Sequence, residues 1–494
     1  MREGITRREF LGATAAGALG MAAGGGLLRS AAAGQGSPED WPTSPVRVGK
    51  VYIGGRGGWP SPKIDPQDDL KRIEAELAKL KPQLPDIEFV EGGHVTNSQQ
   101  MPAVKEKFRD VDGILIIPLS MFIGGYIKDV LSLDIPTVFF SLPYMGHDWI
   151  TIGPLYKQGK KVELLATSDF NDLVTAIRPF RAIHHLKRAR ILAFRNGALY
   201  PEYVKGIKER FGVEIKFMPR QRLLDAYNAV DPKLAEAEAQ RWVDEAEKIV
   251  EPTREDILRG ARLYFAMKNL LREEKAHLIT IRYCMGIPDL AGAYPCLGFS
   301  RLNGEGFGGI CEGDLPSSVT YLIFQYLTPQ RKPGFVTDPI IDTSNNTIIH
   351  AHCTCAVKMD GPEGEQCPYI IRNQQEGQRG ACLQVKMRVG QEITMAKLVG
   401  DDTMLISPGT ITEVPDVDRA CRTKCTTRVE NARKIADNWH YGLHRVIFYD
   451  NHVDDIERLS RFLGFKVLHE GVDEIRPPAE QVERDANIYA SYPI

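Results

Sequence analysis

Carboxylates and imidazoles gather in the second half of this 494-residue chain. Six of the eleven histidines, His350, His352, His440, His444, His452 and His469, lie after residue 349, and Glu312 and Asp314 stand just upstream in the stretch GICEGDLPSSV. Hard carboxylate oxygens together with neutral imidazoles suit a divalent cation such as Mn²⁺, Mg²⁺, Co²⁺ or Zn²⁺. Glu312 is the leading candidate: it follows a glycine-rich loop, and Gly313 lets the backbone come close to a ligand. Asp314 directly precedes an apolar helical pattern, so a plain N-cap is an equal reading. His350 and His352 alternate along an apparent strand and therefore share a face, where each is either a ligand or a satisfied core histidine. His440 and His444 share a helical face or flank a loop, and His452 opens a helix as a surface or capping residue.

The elements that must position these groups can be read from hydrophobic periodicity. VRVGKVYIGG, DIEFVEGG, DGILIIPLS and IPTVFFSLPY are strands separated by short helical patterns, which predicts a parallel sheet covered on both faces. Near residue 165 the pattern resets. A long helix (DFNDLVTAIRPFRAIHHLKRA) leads to the strands RILAFRN and VEIKFMP, then to a helix-rich stretch from about 221 to 276 that Pro252 should break. From 278 a strand (HLITIRYC) precedes the apolar helix LPSSVTYLIFQYLT. Between about 333 and 415 short strand-like runs alternate with Gly, Pro and Asn turns, as in an antiparallel sheet or small barrel. The domains expected are thus 46–164, 165–277 and 278–494, an α/β protein throughout.

Other features bound the function. The mixed charges sum to −2, which gives no case for nucleic acid or an anionic membrane as partner. No stretch of the body reaches ~20 apolar residues, so no membrane span is expected in the mature protein. Residues 1–33 carry Arg7 and Arg8, a mild apolar run and small residues at Ala31–Ala33, the pattern of a twin-arginine export signal, followed by a linker at 34–45. This predicts a periplasmic or other extracytoplasmic location. GEGFGG at 304–309 is a weak match to a dinucleotide fingerprint. Gly55–Gly58, with Arg56 and Trp59 as substrate-binding candidates, is better placed for ligand contact at a sheet edge, or is simply a tight turn. All nine cysteines lie at or after residue 284; buried free thiols or a disulfide formed after export both fit.

The segments PCLGFSRLNGEGFGGICEGDLPSSVTYLIFQYLT, NNTIIHAHCTC and HYGLHRVIFYDNHVDDIERLSRFLGFKV together resemble the L-fucose isomerase and L-arabinose isomerase superfamily, in its divergent fucose-isomerase-like branch. The likeness covers roughly residues 46 to 470, with specific motifs only in the C-terminal half. It implies two Rossmann-like α/β layers followed by a C-terminal α/β domain containing a small antiparallel β-barrel. It also implies an aldose–ketose isomerase acting on a small-molecule sugar with a divalent metal, manganese foremost. In such an enzyme a carboxylate moves a proton between C1 and C2 through an ene-diol. Carried onto this chain, Glu312 and Asp314 become the catalytic pair and metal ligands, His444 the third ligand, and His352 a substrate or metal contact. A trimer or hexamer of identical chains is implied as well. One position departs from the pattern: a further carboxylate is expected at the end of the strand ITIRYC, where Arg282, Tyr283 and Cys284 stand. Either Asp289 reaches in, or Glu305 or another acid substitutes, or the proton-transfer step is different or lost. The alternative function is an exported sugar-binding protein, or a metal-dependent sugar lyase or epimerase on a degenerate isomerase fold.

Overall fold

The computed structural model describes residues 44–56, 63–194, 201–282 and 284–475, with Cys284 in its backbone alone. The export signal, the linker up to residue 43 and Trp59 lie outside the described residues.

Strands β1 (Val46–Ile53), β2 (Ile87–Val95), β3 (Gly113–Pro118), β4 (Thr137–Ser141) and β5 (Val162–Ala166) form one sheet in the order β2-β1-β3-β4-β5. Every pairing in it is parallel. β3 and β4 are buried along their whole length, which is why they read as apolar runs rather than as alternation. β5 falls where the sequence pattern resets, and it closes this sheet instead of opening the next.

The second sheet is built from β6 (Arg190–Phe194), β7 (Glu214–Met218), β9 (Leu278–Ile281) and β10 (Gly308–Ile310), in the order β10-β9-β6-β7 and again all parallel. Between β7 and β9 run the helices Arg220–Asn228, Pro232–Glu245 and Arg254–Glu273. The break near Pro252 is real: the two-residue β8 (Lys248–Ile249) precedes it, and Thr253 then starts the next helix with a reciprocal capping box to Asp256. The GEGFGG run links the Cys296–Gly304 helix to β10, a helix-to-strand order opposite to that of a dinucleotide-binding turn. Its last two glycines are packing positions. A Cβ on Gly308 would lie 2.5 Å from Leu278, and one on Gly309 would lie 2.6 Å from Phe299.

The remaining strands are β11 (Phe335–Asp342), β12 (Thr347–His352), β13 (Tyr369–Gln374), β14 (Arg379–Val385), β15 (Glu392–Val399), β16 (Thr403–Glu413), β17 (Thr423–Val429), β18 (Arg445–Tyr449) and β19 (Lys466–His469). Six of them run β15-β18-β11-β12-β17-β16, and β16 returns to β15, so the sheet closes into an antiparallel barrel. Closure removes exposed strand edges. β13 and β14 form a hairpin beside it that pairs with β8. Alternation along the strands gives the barrel two different faces. Phe335, Ile348, Ile393, Met395, Cys425 and Ile447 pack together inside. Val336, Ala396, Leu398, Val446 and Phe448 pack instead with Val319, Leu322 and Ile323 of the Leu315–Gln325 helix, which lies against the outer wall. The stacked rings of Phe324 and Phe448, 4.2 Å apart, are the centre of that contact. The expected α/β architecture with a small antiparallel barrel is therefore the observed one.

Two histidines in the interior set an acid limit on this fold. His185 and His277 both lie against the Tyr326 ring, and His277 Nδ1 accepts a hydrogen bond from Arg190 N–H at 3.1 Å. Burial, with the charge of His184, lowers the His185 pKa to about 4. Burial, with the charge of His185, lowers that of His277 to about 3. The unfolded chain takes up both protons below pH ~6.5, and the folded chain does not until pH falls much further. Stability is thus complete above pH ~6.5 and is lost as pH falls toward 4. Urea unfolding should show a loss on the order of 3 kcal/mol between pH 8 and pH 5 from this pair. His277→Gln should narrow that difference, and a flat profile would contradict the assignment.

Candidate metal centre

The site forms where the C-terminal end of β10 meets the outer wall of the barrel. After Ile310 the chain makes a single helical turn, Cys311–Gly313, in which Glu312 takes the left-handed conformation (φ 64°, ψ 11°). A non-glycine residue there costs roughly 1–2 kcal/mol. Gly313 follows at φ 68°, and a Cβ at that position would lie 2.7 Å from the Arg282 Cβ, so no other residue fits. The tight turn pushes the Glu312 side chain outward, where it is 42% exposed. The turn ends at Asp314, which caps the Leu315–Gln325 helix: its carboxylate accepts from Ser317 N at 2.9 Å and from Ser317 Oγ at 2.6 Å.

The barrel supplies the rest. Val336 pairs with Val446 on the face turned toward the helix. Two residues further along each strand, the same face carries Asp338 on β11 and His444 just ahead of β18. His444 is fixed from three directions. Its Nδ1 bonds Asp314 Oδ2 at 2.8 Å, and its carbonyl accepts from Lys397 Nζ and from Arg445. Arg445 is itself buried, paired with Glu470 and lying over the Trp439 ring. His444 Nε2 is left facing Asp338 Oδ1 at 3.3 Å and Glu312 Oε2 at 3.5 Å. His352, the last residue of β12, accepts from Cys353 N–H at its Nδ1 and turns Nε2 toward Glu312 Oε1 at 3.6 Å.

Two atoms in this group are buried with no well-formed hydrogen bond, His352 Nε2 and Asp338 Oδ1. Donor atoms of Asp338, His352 and His444 all lie within 4.8 Å of one another, as do those of Cys311, Glu312 and His352. Bonds of ~2.1 Å to one cation place neighbouring donors roughly 3.0–3.4 Å apart, close to the spacings seen here. The donor set and its two orphaned atoms therefore fit a divalent metal. Burial would depress both imidazoles, but the facing carboxylates outweigh it, raising His352 to about 9 through Glu312 and His444 to about 10 through Asp314 and Asp338. Burial would raise Glu312, Asp338 and Asp314, but the same histidines, together with Lys397 at Asp314, hold all three below the ordinary carboxylate range.

The structure sorts the residues named from sequence. Glu312, His352 and His444 converge. Asp314 is one step removed, with its oxygens engaged by Ser317 and the far nitrogen of His444. Arg56 does not join the group; it sits after β1 and pairs with Asp65. The two acids expected to replace the departing carboxylate are committed elsewhere, Asp289 to Arg379 and Glu305 to Lys268 and Tyr264. Asp338 stands in the site instead. Glu376, on the β13–β14 turn, is a further carboxyl that the sequence pattern does not single out; burial and the charges of Glu312 and Asp338 raise its pKa. His350 is a core histidine, bonded to Thr337 and Thr427 inside the barrel, and burial lowers its pKa to about 3.

No protein-family model matches the chain. Over 136 residues it is 26% identical to a sulfoquinovose isomerase from Alkalicoccus urumqiensis, a match spanning 26% of this chain and 30% of that relative. Over that stretch, the chain is similar to a sugar isomerase.

Proposed function

We propose that this protein is a metal-dependent sugar isomerase that interconverts an aldose and a ketose through an ene-diol. The observation that carries the reading is the meeting of Glu312, Asp338, His352 and His444 around two buried donor atoms that lack a well-formed hydrogen bond. The likeness to a sulfoquinovose isomerase supports it. Asp338, Glu312 and His444 would hold the cation, manganese foremost, with His352 beside them as a contact whose Nδ1 accepts from Cys353 N–H and whose proton therefore sits on Nε2. Such a cation supplies Lewis acidity, stabilising negative charge on adjacent sugar oxygens. Glu312 sits at the accessible rim, and its task is to take the proton from the carbon beside the carbonyl and return it to the neighbouring carbon. Asp314 keeps His444 Nδ1 protonated and its ring oriented, so that Nε2 faces the site. In this reading export by the twin-arginine route and homo-oligomeric assembly remain part of the proposal.

The reading is tested by Mn²⁺ titration of the native chain, followed by assay of aldose–ketose interconversion with and without the metal. Asp314→Asn should weaken Mn²⁺ binding by about 10- to 100-fold, the cost of losing a carboxylate behind a ligating histidine. Unchanged affinity in that variant would remove Asp314 from the positioning role.

The substrate is proposed to carry an anionic substituent. Asp338, Ala351 and Lys424 occupy one row across β11, β12 and β17, with their side chains on one face. Two strand spacings, about 10 Å, separate the ends of the row, with the small, buried Ala351 between them. Lys424 is only 6% exposed, and among the described residues it has no hydrogen-bond or carboxylate partner. Burial lowers its pKa, and Arg422 and Arg372 lower it further. A sulfonate or similar group at the end of the sugar away from the reacting carbons fits this cation. Lys424→Met should raise KM for a sulfonated sugar about 10- to 100-fold with little change in kcat, matching the loss of one charge-assisted hydrogen bond. An equal change for neutral sugars would contradict it.

A further inference from the structure

Behind His352 lies a second cluster with a different chemistry. Cys353, the next residue, is buried in one cluster with Cys296 and Cys382, and Cys421 packs against that cluster. These cysteines come from four places in the chain: the start of the Cys296–Gly304 helix, the end of β12, the middle of β14, and the segment leading into β17. Cys296, Cys353 and Cys382 are buried together with Tyr294, and Cys421 lies at the edge of the group, partly exposed. None of the four is joined in a disulfide.

A cluster of four cysteines suggests a thiophilic ion first, and the geometry argues against it. An ion held by four thiolates needs ~2.3 Å bonds to all four sulfurs around one point. Among the described residues, the groups whose donor atoms all lie within 4.8 Å of one another include none of these four cysteines. Thiols packed together, with a single member open to solvent, are an arrangement for thiol–disulfide exchange. Of the three besides Cys353, Cys382 is wholly buried and hydrogen-bonds Asn373 O at 3.3 Å, and Cys296 is buried within its helix. Cys421 alone is reachable and sits next to Ala420, whose φ of 56° marks a tight bend in the connecting segment.

We propose that Cys421 and Cys353 form a thiol–disulfide exchange centre that takes small or protein disulfides as its substrate, and that closing the Cys353–Cys421 bond disturbs the orientation of His352 beside the proposed cation site. Cys421, giving its proton to solvent, attacks one sulfur of the incoming disulfide RSSR and expels RS⁻. Cys353 then loses its proton and attacks the Cys421 sulfur of the mixed disulfide, expelling the second RS⁻. Each RS⁻ is protonated, so two protein thiols and RSSR become one protein disulfide and two RSH. The link to His352 is direct: the Cys353 backbone N–H is the group bonded to His352 Nδ1, so moving Cys353 to meet Cys421 alters what orients Nε2. That consequence rests on the function proposed above, whereas the bond itself does not.

The test uses the reduced native chain incubated with oxidised glutathione. Mass spectrometry of its peptides should show loss of two hydrogens and a cross-linked pair containing Cys353 and Cys421. Mn²⁺ affinity, read by electron paramagnetic resonance, should fall about tenfold or more and return with dithiothreitol. Cys421→Ser should neither cross-link nor lose affinity on the same treatment. A glutathione adduct on Cys421 that never resolves, a cross-link through Cys296 or Cys382, or Zn²⁺ held by the thiols in place of exchange would each overturn the assignment. A full cross-link with unchanged Mn²⁺ affinity would overturn the effect on His352. If the reduced protein binds no Mn²⁺, the proposed function fails, while the disulfide is still decided by mass.

Discussion

Glu312→Gln is expected to lower kcat by about 10³-fold or more while the protein stays folded and still binds Mn²⁺. The amide keeps the size of the side chain and can still offer an oxygen to a cation, but it cannot accept and return a proton. The side chain is 42% exposed and its contacts are confined to the site, so its loss should leave the unfolding midpoint nearly unchanged. The left-handed backbone at this position argues the same way. A glycine or asparagine would sit there at lower conformational cost, so the glutamate is kept at a strained position whose side chain faces the donor cluster. A variant that retains native kcat would show that another carboxyl, such as Glu376, whose pKa the Glu312 charge helps to raise, carries the proton.

Asp338→Asn is expected to weaken Mn²⁺ binding by more than about 100-fold, beyond what loss of a supporting hydrogen bond costs, and to take turnover below detection. Asp338 Oδ1 is buried, makes no well-formed hydrogen bond, and lies 3.3 Å from His444 Nε2. An amide in its place offers a neutral oxygen or, if flipped, an N–H that cannot ligate a cation. Isothermal titration with Mn²⁺ checks the first effect and a coupled ketose assay the second. Binding within a few-fold of native would place the cation at the other donor group, Cys311, Glu312 and His352.

The parts of this molecule that are legible in the sequence are those whose physics is local. β1, β3 and β4 read as strands because both faces are covered, and the Leu315–Gln325 helix is plain from its apolar spacing and from Asp314 ahead of it. A short strand escapes, as the five-residue β5 does although Gly159 precedes it and Ser168 follows, and β10 is hidden in a glycine run whose function is packing. Asp338 escapes for a different reason. It precedes Pro339 inside FVTDPIID, where Asp-Pro reads as a turn signal rather than as a β-strand. Its role comes from barrel closure, which pairs β11 with β18 and so sets it opposite His444. In the proposed reading, the acid that the family resemblance expects at the end of β9 is supplied across a strand pair, by Asp338 opposite His444. The thiol cluster is hidden in the same way, since its members span residues 296 to 421 and meet only when the barrel and its hairpin are assembled.

The most direct measurement is solvent-deuterium exchange by the Mn²⁺-loaded native chain, with pentoses, hexoses, deoxyhexoses and sulfoquinovose followed by NMR. Deuterium should enter at C2 of one of these sugars, depend on added metal, and vanish in Glu312→Gln. Full Mn²⁺ occupancy with no exchange at C2 of any of them would contradict the isomerase assignment.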